Sequence, residues 1–217
     1  MPADPDTPRG RRFLGKDRME GFSDGVFSVA ITLLIVDLAL QPPGTPLQQV
    51  LDAWPDYLAY VISFLTIGGA WLLHTALTDQ LARTDPLFLR LNLLVLLVVV
   101  FLPFPTHLVA DGLNDNSGER VYVTLYGLTL LAIRLLGSAL DAYARHEHLY
   151  SPHQDNEELH RDRRKLLPAT IGYVIAIPIG LAVPILAVAL YFGLAVYLVV
   201  PFREAARVIV GHHSTRR

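Results

Sequence analysis

The sequence predicts an all-α membrane protein with six transmembrane helices per chain and both termini in the cytoplasm. Three observations favour this class. Hydrophobic residues make up 52% of the 217-residue chain and charged residues only 18%, a balance that a soluble domain of this length rarely has. The apolar residues fall into six segments of nearly membrane-spanning length, and the basic residues lie almost entirely in alternate connecting segments and the tails.

The apolar segments are about 16 to 20 residues long, whereas a helix rising about 1.5 Å per residue needs roughly 20 to cross the hydrocarbon core. They are Phe22 to Leu40, Leu58 to Leu77, Leu91 to Ala110, Val121 to Leu140, Leu166 to Leu181 and Pro184 to Phe202. Pro168, Pro178, Pro184 and Pro201 interrupt the last two segments. Residues 166–202 could therefore also form one long kinked helix or a short re-entrant pair.

The distribution of basic residues favours an even number of spans with the N-terminus inside. Of the 18 Lys and Arg residues, Arg120 is predicted outside and Arg134 lies within the fourth span. The other sixteen fall on the cytoplasmic side, as the positive-inside rule requires. They are Arg9, Arg11, Arg12, Lys16, Arg18, Arg83, Arg90, Arg145, Arg161, Arg163, Arg164, Lys165, Arg203, Arg207, Arg216 and Arg217. We expect a retained cytoplasmic tail over residues 1–21, a transmembrane domain over 22–203 and a second cytoplasmic tail over 204–217.

Composition and motifs exclude several classes of function. The net charge of −2 argues against a nucleic-acid partner, and the absence of cysteine excludes disulfides and cysteine-based metal sites. His146, His148, His153 and His160 follow the fourth span, but their spacing fits no compact ligand set, so a solvated loop is expected and no metal site. No His-Glu-x-x-His motif or nucleophile-and-base pair indicates an enzyme. We expect no cofactor.

Polar side chains from the first three predicted spans lie at one depth, near the cytoplasmic side. Trp71 and His74 are three residues apart and share a helix face, which suits a network of hydrogen bonds between helices. Separate local roles are the alternative, with Ser23 or Asp24 capping the first helix, Arg18 reaching the headgroups and Trp71 lying at the interface. The residues at this depth are Arg18, Ser23, Asp24, Trp71, His74 and Asn92.

A stripe of small, aliphatic and hydroxyl side chains runs along the first span. At 100° per residue, Gly25, Val29, Thr32 and Val36 fall within a narrow arc. Thr32 would offer an oxygen between the hydrophobic layers of Val29 and Val36, as in a narrow pore. The other interpretation is that Thr32 bonds to its own preceding turn and the stripe packs against another helix.

The start of the first span carries a specific motif. Arg18, Phe22, Ser23 and Asp24 form Arg-x-x-x-Phe-Ser-Asp, and Gly-Val-Phe-x-x-Ala-Ile-Thr-Leu follows over residues 25–33. With these motifs the sequence resembles the transmembrane protein 175 family of endolysosomal potassium channels, whose prokaryotic members have six spans per chain. The family's second and third helices are matched by Trp71, His74, Asn92, Pro103 and Phe104, so the resemblance covers roughly residues 18–106.

The resemblance implies a homotetramer in the cell membrane with a central potassium pathway lined by the first helix of each subunit. It places Val29 at the hydrophobic constriction, Thr32 in the next layer and Val36 above it. It also implies a structural network that contains Arg18, Phe22, Ser23, Asp24, Trp71, His74 and Asn92. Family members often carry a larger aliphatic residue where this chain has Val29, which bears on the tightness of the gate. No Thr-Val-Gly-Tyr-Gly filter is present.

A proton-coupled secondary transporter is the alternative function. Asp24, His74 and Arg134 could form its proton relay, and transporters often contain broken helices like the proline-rich fifth and sixth spans. No internal repeat relates the first three spans to the last three. Arg134 is expected to be paired or to face the interior of the bundle, with Asp141 two turns further on. A passive potassium-favouring channel is therefore the preferred prediction.

Overall fold

The fold is described from a computed structural model that covers residues 16–36, 44–115, 119–151 and 157–199, without the side chains of 114–115 and 157–166. Eight helices occupy this part of the chain. They are α1 (Lys16–Val36), α2 (Pro46–Asp52), α3 (Trp54–Asp79), α4 (Pro86–Phe101), α5 (Pro103–Asp115), α6 (Glu119–His146), α7 (Glu157–Ala182) and α8 (Pro184–Val199). No strand occurs among these residues, and Leu81 and Tyr150 form an isolated β-bridge.

The helices confirm the all-α membrane class. Four segments are long and apolar enough to cross a membrane: Lys16–Val36, Trp54–Asp79, Pro86–Leu113 and Glu119–His146. Two further apolar helices, Leu167–Ala182 and Pro184–Val199, are shorter and coincide with the fifth and sixth predicted spans. The first helix begins at Lys16, six residues before the predicted span, because the polar motif at its start is itself helical.

The third predicted span is divided into two helices. Helix α4 ends at Phe101 and α5 begins at Pro103, with Leu102 as a buried turn residue between them. Pro103 and Pro105 have no backbone N–H, so the helical ladder loses two donors within three residues. Thr106 restores the ladder, because its N–H donates to the carbonyl of Leu102 at 3.1 Å. The break bends the third span without ending it.

The two C-terminal helices form an antiparallel hairpin around Val183. A Cβ on Gly180 would lie 3.3 Å from Ala187, and one on Gly172 would lie 2.6 Å from Leu194, so the two helices are in close contact along their length. Pro184 starts α8, where its missing N–H costs no helical hydrogen bond. The hairpin rules out a single kinked helix over residues 166–202. The residues after Val199, including Pro201, lie outside the described chain.

A short helix and a loop pairing were not predicted from the sequence. Helix α2 begins with a capping box in which Thr45 and Gln48 satisfy each other's backbone N–H groups. At the end predicted to face the cytoplasm, Ala82 N–H donates to the Leu149 carbonyl at 2.9 Å, and Ser151 N–H donates to the Gln80 carbonyl at 2.8 Å. The loop after α3 is thereby joined to the loop after α6.

Helix α3 lies at the centre of the bundle and packs against α1, α5, α6 and α8. Its interior positions include a hydroxyl cluster, in which Ser63 forms hydrogen bonds of 2.7 Å with Thr106 and 2.8 Å with Tyr126. All three side chains are buried, so α3, α5 and α6 are joined by polar contacts within an apolar interior. The cluster connects the third and fourth spans to the helix against which α1 packs.

Candidate functional site

Helix α1 packs against α3 and α4 through one face only. The buried side chains recur every three or four residues, which is the period of one helix face. They are Met19, Ser23, Phe27, Ala30 and Leu34. The opposite face is exposed in the single chain, so α1 has one face built into the subunit and one face without a partner there.

Ser23, His74 and Asn92 form a buried hydrogen-bonded chain across α1, α3 and α4. His74 Nε2 lies 2.8 Å from Asn92 Oδ1, and Asn92 Nδ2 donates to Ser23 Oγ at 3.0 Å. Because an amide oxygen can only accept, the histidine tautomer must carry its proton on Nε2. Both the oxygen and the nitrogen of the Asn92 amide are therefore hydrogen-bonded. The ring of His74 also lies 5.4 Å from that of Phe27 on α1.

Asp24 makes a second, separate contact between the first two spans. The indole Nε1–H of Trp71 donates to Asp24 Oδ1 at 2.9 Å. Both side chains lie at the rim of the α1–α3 contact and are partly open to their surroundings. The two contacts together bring Ser23, Asp24, Trp71, His74 and Asn92 to one level, where they fix the position of α1 relative to α3 and α4.

The structure does not bring Arg18 and Phe22 into this hydrogen-bonded level. Phe22 is 56% exposed and Arg18 is exposed, and among the described residues Arg18 makes no hydrogen bond or ion pair. The spacing explains this: five residues separate Arg18 from Ser23, which turns its side chain about 140° away around the helix. Lys16 forms the contact at the start of α1 instead, donating to the Asp79 carbonyl at 3.0 Å.

The predicted stripe lies on the exposed face of α1. Gly25 and Thr32 are exposed, Val29 is 53% exposed and Val36 is 70% exposed. Thr32 Oγ1 donates to the Val29 carbonyl at 2.9 Å, which is the intrahelical bond considered as the alternative. This bond uses the hydroxyl proton and leaves the oxygen lone pairs free to accept from water or to coordinate a cation. The stripe therefore presents an oxygen between two aliphatic layers.

Arg134 is not connected to Asp24 or His74. It lies on α6, where its charge interacts with Tyr173 on α7. It is not paired with Asp141 either, because Asp141 forms an ion pair with Arg145 at 3.2 Å and accepts the Tyr150 hydroxyl at 2.6 Å. Arg134 is buried, as expected, but no hydrogen bond or ion pair among the described residues joins it to Asp24 or His74, which share the polar level.

The loop histidines do not assemble into a metal site in the described part of the chain. No group of three or more His, Asp or Glu side chains there could hold a metal ion. His146 and His148 are exposed at the end of α6. His153 and the side chain of His160 lie outside the described residues.

Asp85 is a positioning residue that the sequence analysis missed. Its Oδ1 accepts the Phe88 N–H at 2.8 Å and caps α4, while its Oδ2 accepts the Tyr143 hydroxyl at 2.7 Å. The carboxylate is buried and joins the start of α4 to the end of α6. An acidic residue directly before a proline that opens an apolar run is a recognisable helix start, so the Asp85-Pro86 pair could have identified the cap.

These features define a multi-pass helical membrane protein whose first helix carries a hydroxyl-bearing face that one subunit leaves uncovered. Residues 18–103 match the family described as endosomal/lysosomal potassium channel TMEM175. A potassium channel of Streptomyces collinus is 37% identical over 198 residues, which cover 87% of this chain and 96% of that protein. The chain therefore belongs to the TMEM175 family.

Two further relatives extend the comparison. The crystal structure of a lysosomal potassium-selective channel TMEM175 homolog from Chamaesiphon minutus matches with a TM-score of 0.71 and 31% sequence identity, over 84% of this chain and 95% of that one. The endosomal/lysosomal proton channel TMEM175 of Gallus gallus is 35% identical over 117 residues, or 49% of this chain and 23% of that protein. The resemblance stated from the motifs is confirmed.

Proposed function

We propose that this protein is a passive, potassium-favouring cation channel of a prokaryotic cytoplasmic membrane, assembled as a homotetramer. The observation that carries the proposal is the exposed stripe of Val29, Thr32 and Val36 on a helix whose other face is fixed in the bundle. The Streptomyces collinus relative, which is named a potassium channel, matches nearly its whole length. The positive-inside pattern places both termini in the cytoplasm.

Several copies of the chain are needed for this function. A single helix face cannot enclose an ion pathway, whereas copies of α1 around a symmetry axis would cover their exposed stripes and create a narrow passage. In this arrangement Val29 forms the constriction, Thr32 supplies a ring of hydroxyl oxygens and Val36 forms the next aliphatic layer. The outward-facing apolar surfaces of the other membrane-spanning helices contact lipid. No cofactor takes part, since the potassium ion is the species that permeates.

The polar level formed by Ser23, Asp24, Trp71, His74 and Asn92 has a structural role in the proposal. Two of its three hydrogen bonds join α1 to α3 and α4, the third joins α3 to α4, and none of them involves a residue of the stripe. Because the buried face of α1 is fixed to α3 and α4, its stripe can keep one orientation towards the symmetry axis. Arg18 and Phe22, which the single chain leaves exposed, would meet a neighbouring subunit or the headgroups.

The transporter alternative has weaker support. A proton relay needs hydrogen-bonded neighbours, but Asp24 contacts Trp71 and His74 contacts Asn92, while the Nε and Nη2 atoms of Arg134 have no partner among the described residues. Proton permeation through the same stripe is a separate outcome of the test below, because the Gallus gallus relative is named a proton channel.

The experiment is flux and reversal potential in liposomes that hold a potassium gradient. The wild type is expected to give a reversal potential directed towards potassium without a proton gradient. Val29→Ser is expected to widen and wet the constriction, which raises conductance and lowers selectivity. Val174→Ser is the matched control, because Val174 on α7 is also 53% exposed but does not belong to the stripe. Flux only with a proton gradient would contradict the proposal, as would equal effects of the two variants.

A further inference from the structure

Arg134 presents an unsatisfied guanidinium edge inside the bundle. It lies near the middle of α6 and is only 7% exposed. Its Nε and Nη2 atoms are buried and have no hydrogen-bond partner among the described residues. These two nitrogens form the side edge of the guanidinium, whose parallel N–H groups are suited to bind an anion with two hydrogen bonds.

Among the described residues no acidic side chain pairs with Arg134, and the packed helix α7 offers another donor. Tyr173, the ionisable side chain that interacts with Arg134, has a buried hydroxyl without a hydrogen-bond partner in the described chain. Thr66 lies close to Tyr173 and donates its own hydroxyl proton to the Ile62 carbonyl at 2.8 Å. Asp141, the acid nearest in sequence on α6, is bound by Arg145 and Tyr150.

A positive charge within a membrane-spanning bundle requires a counter-charge. Hydration is lost on burial, and in a medium of low dielectric constant an unpaired guanidinium is strongly disfavoured relative to a paired one. Three buried N–H and O–H donors without a carboxylate partner among the described residues are the reverse of a cation site. They are the donor set that a small anion prefers, because it can accept all three hydrogen bonds while neutralising the arginine.

We propose that Arg134 and Tyr173 bind a small monovalent anion of the chloride class between α6 and α7 in each subunit. The guanidinium edge donates two hydrogen bonds and the Tyr173 hydroxyl donates a third. The anion is a structural ligand of the bundle, and the site is separate from the stripe on α1.

The test is thermal unfolding of the purified protein in detergent, with potassium chloride replacing potassium gluconate at constant ionic strength. Gluconate is too large for the site, so the unfolding midpoint is expected to rise once chloride exceeds its Kd, and then with the logarithm of the chloride concentration. At a chloride concentration tenfold above its Kd the rise should be about 3–6 °C. Bromide should replace chloride, and an anomalous peak between Arg134 and Tyr173 in bromide-grown crystals would place it.

Three variants separate specific binding from a general salt effect. Arg134→Gln is expected to abolish the response, and Tyr173→Phe, which keeps the ring, should raise several-fold the chloride concentration at which the rise begins. Arg120→Gln is the control, because Arg120 is an exposed arginine at the start of the same helix and its loss should leave the response unchanged. If Arg134→Gln does not fold, the chloride response of Tyr173→Phe alone tests the proposal. No response in the wild type, or an equal response in wild type and Tyr173→Phe, would overturn the proposal.

Discussion

At the scale of single residues, Asn92 is the central member of the buried polar level. Its amide oxygen accepts from His74 and its amide nitrogen donates to Ser23, so one side chain satisfies two buried polar groups on different helices. An amide side chain can accept at its oxygen while it donates from its nitrogen. The junction of α1, α3 and α4 therefore depends on this residue more than on either of its partners.

Replacing Asn92 by Leu should leave both His74 and Ser23 buried without a partner. Each unsatisfied buried group costs about 1–3 kcal/mol, so we expect a loss of stability in that range or above it. The measurement is the unfolding midpoint of the detergent-solubilised protein. Leu93→Ala is the control, because Leu93 is the next residue on α4 and is exposed. A midpoint equal to that of the control would contradict the role given to Asn92.

Asp24 should matter for assembly more than for the choice of ion. Asp24→Ala removes the acceptor of the Trp71 indole, and hydrogen bonds between membrane helices contribute about 0.6–1.7 kcal/mol. Asp24→Asn keeps an oxygen that Trp71 can donate to and should behave nearly as the wild type. Size-exclusion chromatography and reversal potentials give the measurement. Normal oligomers with altered selectivity in Asp24→Ala would place Asp24 in the ion pathway instead.

At the scale of elements, α6 and α8 meet through the contact of a glycine with a tyrosine ring. A Cβ on Gly127 would lie 2.0 Å from the hydroxyl oxygen and 2.6 Å from the Cζ of Tyr191, closer than any real contact. Tyr191 is fully buried and its ring lies 5.8 Å from that of Tyr126, so it has no free side to move to. Small residues that let backbones approach closely are the usual means of helix packing in membranes.

Gly127→Ala should therefore push α6 and α8 apart, at a cost of about 1–3 kcal/mol for overpacking. Gly137→Ala is the matched control on the same helix, because no atom lies within 4 Å of its added Cβ. That control should be neutral or stabilising, since alanine favours a helix interior over glycine by about 0.5–1 kcal/mol. Unfolding midpoints of the two variants measure the difference. Equal midpoints would show that the close contact is not maintained.

The helices also show how much of the structure could be predicted from the sequence alone. Spans follow from hydropathy, and comparing depths across spans placed Ser23, Asp24, Trp71, His74 and Asn92 at one level, where the hydrogen bonds are found. Such a comparison works because hydropathy fixes the depth of each residue. It does not fix rotation about the helix axis.

The structure differs from the prediction where the rotation of a helix about its axis, or a contact between residues far apart in the chain, determines the position of a side chain. Arg18 shares the depth of the polar level but lies on the exposed side of α1. Asp141 was placed near Arg134 by sequence, yet side chains seven residues apart need not meet, and Arg145 and Tyr150 bind the carboxylate. The pairing of the loops after α3 and α6 joins residues far apart in the chain, which no local pattern could indicate.

At the scale of the whole molecule, the bundle separates a supporting part from the face proposed to conduct. The hydroxyl cluster of Ser63, Thr106 and Tyr126 and the loop pairing join α3 to α6 within the subunit, and the Asp85 cap joins α4 to α6. Helix α1 is attached to this part through its buried face. A homotetramer would bring four exposed faces of α1 together, so native mass spectrometry of the purified protein is expected to give four copies. A stable monomer in a mild detergent would contradict the arrangement.

The most direct test of the proposed pore uses the absence of cysteine from the chain. Val29→Cys introduces one thiol per subunit, and a ring of such thiols around a narrow axis would bind Cd²⁺ tightly, because soft thiolate ligands select soft metal ions. We predict that micromolar Cd²⁺ blocks the potassium current of Val29→Cys liposomes and that a chelator restores it, whereas Val174→Cys is unaffected. A functional Val29→Cys protein that conducts equally with and without Cd²⁺ would contradict a pore lined by α1.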